Sequence, residues 1–320
     1  MFAVRYPHQM AASVAGKRPW IARRLSKALF LVPACLSMAM GLPSAVKAEL
    51  KRSTFVYKTV GDVEIHADVY RPDDSGNRPV IAWFHGGALM MGSRQGVPRQ
   101  LQDLSQREGY VLVSFDYRLA PEAKIPEIID DVRDALTWIR RSGPGLFGAD
   151  PIRLVAYWGF GDVVGKWTTE PNQHYREKMP LVSEEDAWAA VGEKVITGTD
   201  KTNGRARGNL FIYLKQNGLW AKVASGFDPD TEPDKLTPLC PIRNLSPQYP
   251  PILMLHGTAD KDVPYDQSVE MARALERLGR PHELITVEKG GHSLWGGDPK
   301  LIEQAFARSI EFIHEKLSTP

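Results

Sequence analysis

The chain has 320 residues, of which 43% are hydrophobic and 24% are charged, and its formal net charge is +2. These values are ordinary for a globular protein and exclude an intrinsically disordered chain. Because so small a net charge indicates no extended basic surface, we expect no nucleic-acid partner.

Residues 1–48 have the features of a secretory signal peptide. Cationic residues, among them Arg23-Arg24, precede an apolar stretch over residues 28–40, and the pattern Val46–Ala48 resembles a cleavage site. Pro33 interrupts the stretch, which is shorter than the roughly 20 apolar residues of a spanning helix. We expect cleavage after Ala48 and no stable membrane span in the mature protein. The protein would be exported, periplasmic or extracellular if bacterial, by the general or the twin-arginine route.

Cysteine usage agrees with a mature chain that has no disulfide. Cleavage after Ala48 removes Cys35 and leaves Cys240 as the single cysteine. No histidine or basic residue adjoins Cys240, so we predict a buried apolar side chain rather than a nucleophile.

Residues 49–320 are predicted to form one α/β domain that begins with a β-hairpin. Apolar and polar residues alternate on both sides of the turn residues Gly61-Asp62. Short continuous apolar runs follow, which are typical of parallel strands buried on both faces. These runs cover residues 80–84, 110–115, 154–158 and 252–255.

Helical periodicities lie between and after these runs. They are clearest over residues 128–139 and 271–278, where Gly279 is placed as a helix stop. A last helix over about 300–317 is predicted to bury four side chains: Ile302, Phe306, Ile310 and Ile313. The alternation of strands and helices predicts a doubly wound, mostly parallel sheet that is covered on both faces.

Residues 166 to about 245 do not follow this alternation and are predicted to be a cap-like insertion. The segment is rich in Trp, Tyr, Lys, Glu and Pro, with helical character near 184–195 and 208–220. Its place in the chain puts it over the carboxyl ends of the strands, where open α/β folds bind ligands. An inert surface excursion is the alternative.

Two loops that follow predicted strands carry residues suited to catalysis. In the first loop, Gly86 and Gly87 follow His85, and adjacent glycines leave backbone N–H groups free to face a developing oxyanion. Asp260 lies in the second loop, and His292 follows 32 residues later, after the next predicted strand, which is the order of acid and base in serine hydrolases of this fold. The carboxylate would orient the imidazole while His292 takes and returns a proton.

From about residue 54 to 316 the chain resembles the α/β-hydrolase family, in particular esterases and lipases related to hormone-sensitive lipase and the prolyl-oligopeptidase-type domains. Four segments carry the resemblance: His85-Gly86-Gly87, Asp116-Tyr117-Arg118-Leu119-Ala120-Pro121-Glu122, His256-Gly257-Thr258-Ala259-Asp260 and Gly290-Gly291-His292.

This resemblance implies a cofactor-free hydrolase of small carboxylic esters that uses a serine, an acid and a histidine. It assigns Asp260 as the acid and His292 as the base, and Gly86 and Gly87 as the oxyanion donors. Asp262, two residues beyond the matching position, is the alternative acid. Asp116 and Arg118 are expected to support the oxyanion loop rather than to react.

The chain departs from the family at the nucleophile. The turn G-x-S-x-G is matched by Gly159-Phe160-Gly161-Asp162-Val163, so Gly161 stands where the serine is expected. Glycine tolerates the strained dihedrals of this turn but has no group that can attack.

No other residue replaces the missing serine. A shift in register that makes Asp162 the nucleophile would put Phe160 and Val164 beside the apex, where small residues are needed. We therefore expect Asp162 to be a charge in the pocket or the cap of the next helix, with His85 and Phe160 as further pocket residues. Ser114 lies in a predicted strand, and Ser293 adjoins the histidine. No metal site is expected, because the chain has neither H-E-x-x-H nor paired cysteines.

Three functions stay open from the sequence. The first is a hydrolase that activates water directly with Asp260 and His292 or uses Asp162. The second is a pseudoenzyme that binds a small ligand under the insertion. The third is a cofactor-free lyase or isomerase with the same base.

Overall fold

The computed structural model describes residues 49–74, 76–153 and 161–318. The predicted signal peptide and the strand predicted at 154–158 lie outside these residues. In chain order the elements are β1 (Leu50–Val60), β2 (Val63–Pro72), β3 (Arg78–Phe84), α1 (Arg99–Glu108), β4 (Val111–Phe115), α2 (Ile125–Phe147), β5 (Ala149–Arg153), α3 (Lys166–Thr169), α4 (Gln173–Lys178), α5 (Glu184–Trp188), α6 (Lys201–Asn217), α7 (Trp220–Ser225), α8 (Pro233–Leu236), β6 (Ile252–Gly257), α9 (Asp266–Arg277), β7 (His282–Val287) and α10 (Pro299–Ser318).

The strands form a mixed sheet with an antiparallel beginning. β1 and β2 pair as the predicted hairpin, and Gly61 takes a φ of 58° in its turn. The order in this sheet is β1-β2-β4-β3-β5, in which β3 runs parallel to β4 and β5. β6 and β7 form a second, parallel pair. The α/β fold with mostly parallel strands is therefore confirmed, and its antiparallel pairings involve only β1, β2 and β4 among the described strands.

The predicted amphipathic helices are present. α2 buries Ile128, Ala135 and Ile139, and α9 ends just before Gly279, whose φ is 60°. α10 differs in detail, because Ile302, Phe306 and Ile310 are only partly buried. Its fully buried side chains are Ala305, Ser309, Phe312 and Ile313. Ile313 is thus buried as predicted, and the buried face of the helix is rotated slightly away from the other three predicted side chains.

The insertion is helical, but its helices do not begin and end as predicted. The stretch predicted at 184–195 is helical only in α5. The stretch predicted at 208–220 belongs mainly to α6, which begins earlier because the Asp200 side chain caps its first N–H groups. Gly204 and Gly208 inside α6 weaken the helical pattern in the sequence, which explains the wrong boundary.

A buried arginine of α6 attaches the insertion to the domain. Arg207 is fully buried and donates hydrogen bonds to the carbonyl oxygens of Met90 (3.2 Å) and Ala120 (2.8 Å). It also forms an ion pair with Glu122. Since a buried charge is stable only when it is paired, this contact holds α6 against Met90 and against the segment Asp116–Glu122.

Within the described part of the chain, no helix combines the length and the apolar character that a transmembrane segment requires.

Candidate active site

The predicted acid and base lie on two loops that leave the same edge of the parallel pair β6 and β7. We call residues 258–264 the acid loop and residues 288–295 the base loop. The Ala259 N–H donates to the Gly290 carbonyl oxygen (2.9 Å), which joins the two loops directly. A Cβ at Gly257 would lie only 2.1 Å from that same oxygen. Glycine at 257 is therefore required for the approach of the two loops.

This approach brings Asp260 and His292 into contact. His292 Nδ1 lies 2.9 Å from Asp260 Oδ2. Because an ionised carboxylate only accepts hydrogen bonds, Nδ1 carries the hydrogen and Nε2 keeps its lone pair. The Asp260 side chain is almost fully buried, whereas 22% of the His292 side chain is exposed. The structure thus leaves the second nitrogen of the imidazole available to a substrate or a water molecule.

Several donors surround the Asp260 carboxylate. The backbone N–H groups of Asp262 and Val263 donate to Oδ1, at 2.8 and 3.0 Å. Burial by itself would raise the pKa of Asp260, but the contacts with His256 and His292 outweigh burial and hold this pKa below its usual value. Asp260 therefore stays ionised at neutral pH and stabilises a positive charge on His292.

His256 is a site residue to which sequence reasoning assigned no role of its own. Its ring is buried, with Nε2 donating to the Val263 carbonyl oxygen (2.9 Å) and Nδ1 facing the Ser268 hydroxyl (2.7 Å). Nε2 is also 3.4 Å from Asp260 Oδ2. His256 thereby holds the acid loop against the start of α9. A signal for this role is present in the sequence, because His256 lies at the end of a predicted strand, four residues before the acid.

The predicted oxyanion donors lie in a tightly turned loop. We call residues 86–92 the oxyanion loop. Gly87 has a φ of 115°, and a Cβ there would lie 2.1 Å from the Met91 carbonyl oxygen. The Gly87 carbonyl accepts hydrogen bonds from the N–H groups of Met90 and Met91, at 2.9 and 3.0 Å. The N–H groups of Gly86 and Gly87 donate to no other described residue.

Backbone strain is concentrated in the same loops. The non-glycine residues with a left-handed φ, among those that the structure describes, all lie in the oxyanion or base loop: Ala88, Leu89, Lys289, Ser293 and Leu294. Each such residue costs about 1–2 kcal/mol in this conformation. Strain of this kind accumulates at functional sites, where packing imposes a special geometry.

His85 lies beneath the oxyanion loop. Its ring stacks on Tyr117 at a centroid distance of 4.3 Å, and Nδ1 lies 2.8 Å from the Gly86 carbonyl oxygen. Burial lowers the pKa of His85 to about 4, so the imidazole is neutral at pH 7 and Nδ1 donates to this oxygen. His85 thus orients the peptide of Gly86, which belongs to the predicted oxyanion site.

Asp116 and Arg118 make the structural contacts expected of them. Asp116 accepts a hydrogen bond from the Arg94 N–H (2.7 Å), and Arg118 pairs with Asp131 at 2.8 Å and with Glu127 at 3.0 Å. These bonds hold the chain on either side of Tyr117, which supports His85.

The nucleophile turn is described only from Gly161 onward, and Gly159 and Phe160 lie outside the described residues. Gly161 is buried. A Cβ at Gly161 would have the O and Oε1 atoms of Gln267 at 3.5 and 3.6 Å, which are ordinary contact distances. Among the described residues, none obstructs a small side chain at this position. Its place at the apex of the turn stays a prediction.

Asp162 is bound in an ion pair. Its carboxylate pairs with Arg243 (2.7 Å) and accepts hydrogen bonds from the Val164 N–H (2.9 Å) and the Cys240 thiol (3.2 Å). Burial opposes ionisation, but these partners together lower the pKa of Asp162. Asp162 does not cap the next helix, because the residue before α3 is Gly165. Its carboxylate closes a turn at the edge of the insertion.

The remaining candidate nucleophiles are held in other interactions or buried. Ser114 is buried and its hydroxyl donates to the Arg94 carbonyl oxygen (2.6 Å). The Ser293 hydroxyl is buried. Burial raises the pKa of Cys240 to about 11, so its thiol is neutral at pH 7. The described residues contain no group of three side chains with the arrangement of a metal site.

A cleft of about 630 Å³ lies between the insertion and the acid loop. Trp167 and His174 of the insertion line it together with Asp260 and Lys261. Its volume is in the range that holds a small organic molecule.

Comparison with known proteins agrees with this geometry. The sequence profile of the family described as alpha/beta hydrolase fold matches residues 81–159, and that of the prolyl oligopeptidase family matches residues 211–319. Both the oxyanion loop and the loops of Asp260 and His292 fall in the matched segments. The chain has the α/β-hydrolase fold, and these two parts of it are similar to proteins of the esterase and lipase branch of that family.

Three of the individual proteins that match this chain share between 21% and 26% identity with it. The esterase LipC of Mycobacterium tuberculosis is 26% identical over 66% of this chain and 52% of its own length. The non-reducing polyketide synthase adrD of Penicillium roqueforti is 24% identical over 91% of this chain, which spans only 15% of that enzyme. The structure of Thermogutta terrifontis esterase 2 phosphonylated by sarin superposes with a TM-score of 0.55 and 21% identity, covering 87% of this chain and 99% of its own. This chain thus spans about half or less of these two curated relatives.

Replacing Gly257 with alanine tests the contact between the acid and base loops. The new methyl group would collide with the Gly290 carbonyl, so we expect the free energy of unfolding to fall by about 1–3 kcal/mol. Urea denaturation measures this change. Gly208→Ala is the control, because its Cβ meets no atom within 4 Å and lies in α6. Alanine there should stabilise by about 0.5–1 kcal/mol; equal effects of the two variants would contradict the proposed constraint.

The buried, neutral His85 predicts a loss of stability in mild acid. The unfolded chain binds a proton near pH 6.5, whereas folded His85 binds one only near pH 4. Stability should therefore fall as the pH decreases from 6.5 to 4, by about 3 kcal/mol from this residue. Urea denaturation across this range should show a smaller decrease for His85→Gln. An unchanged pH dependence in that variant would show that His85 is not the group responsible.

Proposed function

We propose that this protein hydrolyses a small carboxylic ester with a water molecule, rather than a serine, as the nucleophile. The observation that carries the proposal is the Nδ1 hydrogen bond between His292 and Asp260, which leaves Nε2 as a base. The oxyanion loop supplies free N–H groups of Gly86 and Gly87 for the charge that develops on the carbonyl oxygen. A base and an oxyanion site are sufficient for slow, non-covalent hydrolysis.

The reaction follows from these groups. His292 Nε2 takes a proton from water while the water oxygen attacks the ester carbon, and the Gly86 and Gly87 N–H groups bind the resulting oxyanion. When the bond to the leaving group breaks, His292 returns the proton to the alkoxide. Asp260 stays ionised and stabilises the imidazolium in between.

The similarity of this chain to esterases supports an ester substrate. LipC is an esterase, and a further structure of the Thermogutta esterase has butyrate bound. We extend to this chain only the substrate class, a small carboxylic ester. The proposed site of action is outside the cytoplasm, on the basis of the leader at residues 1–48.

A ligand-binding protein without turnover is the second candidate. Gly161 favours it, because a chain with glycine at the nucleophile position cannot form an acyl-enzyme. The same N–H donors would then hold a carbonyl or carboxylate group of the ligand.

Replacing His292 with alanine distinguishes hydrolysis from binding. We expect hydrolysis of a short-chain aryl ester to fall by about 10²- to 10⁴-fold, because the base is lost. Steady-state kinetics with the purified mature protein measures this change. The control is His314→Ala in α10, which should keep the wild-type rate. Turnover that survives in His292→Ala would leave ligand binding as the function.

Replacing Gly161 with serine tests whether only the nucleophile is missing. A serine fits beside Gln267, so we expect the variant to gain esterase activity and to react covalently with a fluorophosphonate probe. The wild-type protein should not be labelled at all. Gly161→Ala controls for the added bulk. No labelling of folded Gly161→Ser would mean that position 161 is not aligned with His292, and labelling of the wild type would contradict the missing nucleophile.

A further inference from the structure

A second carboxylate faces His292 from the side opposite Asp260. Asp262 Oδ2 lies 3.7 Å from His292 Nε2, the nitrogen that faces the serine in the enzymes that the family pattern describes. The Asp262 side chain is only 10% exposed, so this contact is inside the site and not on the surface. The two carboxylates of the acid loop therefore contact the two different nitrogens of the ring, and Asp262 is not an alternative to Asp260.

The two facing atoms are both acceptors. Nδ1 carries the imidazole hydrogen, so neutral His292 presents a lone pair at Nε2 to the oxygen of Asp262. Such a pair is stable only if a donor lies between them or a proton is on Nε2. A distance of 3.7 Å allows one water molecule to donate one hydrogen to each acceptor.

A lysine of the insertion holds Asp262 in this place. Lys215 of α6 is buried, and Nζ donates to the carbonyl oxygens of Trp167 (2.8 Å) and Asp262 (3.0 Å). Nζ also lies 3.5 Å from Asp262 Oδ1, which leaves Oδ2 directed toward His292. The ammonium balances the charge of the carboxylate, and Tyr175 of α4 lies beside both groups. The insertion thus reaches the reacting nitrogen through one ion pair.

We propose that Asp262 is a second catalytic carboxylate, which binds the attacking water against His292 Nε2, and that Lys215 is its positioning residue. The proposal rests on the hydrolysis described above. One hydrogen of the water moves to Nε2 as its oxygen bonds to the ester carbon, and the other stays hydrogen-bonded to Asp262 Oδ2. After His292 has protonated the departing alkoxide, the new carboxylic acid loses its proton to solvent. The products are one acid and one alcohol for each ester and water.

The first test replaces the carboxylate of Asp262 with an amide of the same shape. In Asp262→Asn we expect kcat for a short-chain aryl ester to fall by about 10- to 100-fold, because the water loses one of its two acceptors, while KM stays within about twofold. Asp266→Asn is the matched control, since Asp266 is an exposed carboxylate at the start of α9. A wild-type kcat in Asp262→Asn would overturn the proposal.

The second test separates catalysis from a structural role. In Asp262→Ala, added formate should restore part of kcat, because a small carboxylate can occupy the vacated space, whereas formate should not restore His292→Ala. Folded Asp262→Ala that is inactive and unaffected by formate would indicate only a structural contact and would overturn the catalytic role.

The third test concerns Lys215. Lys215→Arg should keep a larger share of kcat than Lys215→Met, because it retains the charge beside Asp262. A single change at Asp262 or Lys215 leaves the partner charge buried and unpaired, which can prevent folding. In that case the double variant Asp262→Asn with Lys215→Met removes both charges. It should fold and have a low kcat. Wild-type kcat in that double variant would contradict the proposal.

These outcomes are distinguishable from a failure of the proposed hydrolysis. Turnover that does not depend on His292 refutes both proposals. Turnover that depends on His292 but not on Asp262 refutes only the role of Asp262.

Discussion

The contact between Gly257 and Gly290 is the constraint on which the rest of the site depends. It lets the loops after β6 and β7 approach until the Ala259 N–H reaches the Gly290 carbonyl oxygen. Only then is His292 Nδ1 within hydrogen-bond distance of Asp260. Parallel strands provide the shared edge, but the missing side chain at 257 provides the close approach.

From this contact a row of alternating groups extends across the site. The row consists of five side chains, each within 4 Å of the next: His256, Asp260, His292, Asp262 and Lys215. Each aspartate of the row lies between two nitrogen-bearing side chains, so that neither buried carboxylate is isolated. This arrangement explains how two aspartates remain close to one histidine in a largely buried place. It also connects the insertion to the base loop through a single lysine.

The oxyanion loop depends on the insertion in a similar way. Arg207 binds the Met90 carbonyl, and the Thr199 N–H donates to the Gly92 carbonyl oxygen (2.8 Å). These bonds hold a loop whose residues Ala88 and Leu89 are strained, and strain persists only where surrounding contacts maintain it. The cap-like segment therefore supports both halves of the site, the donors and the base.

Sequence patterns were reliable where a local rule determines the outcome. Alternation around Gly61-Asp62 predicted the hairpin, apolar runs predicted β3, β4 and β6, and the position of Gly279 predicted the end of α9. The same reasoning found Asp260 and His292, because the order of loops after parallel strands limits where an acid and a base can meet. It misplaced the helices of the insertion, where Gly204 and Gly208 obscure a helix that Asp200 caps.

The sequence by itself determined the fold class and the glycine at position 161, and it predicted the acid, the base and the oxyanion loop, since each depends on residue type and local spacing. Only the tertiary structure decided which ring nitrogen each aspartate faces, that His85 lies beneath the oxyanion loop, and that Lys215 reaches Asp262. Those contacts join residues that are far apart along the chain, 47 positions in the case of Lys215 and Asp262. Their geometry depends on how the insertion packs, and no local pattern records that packing.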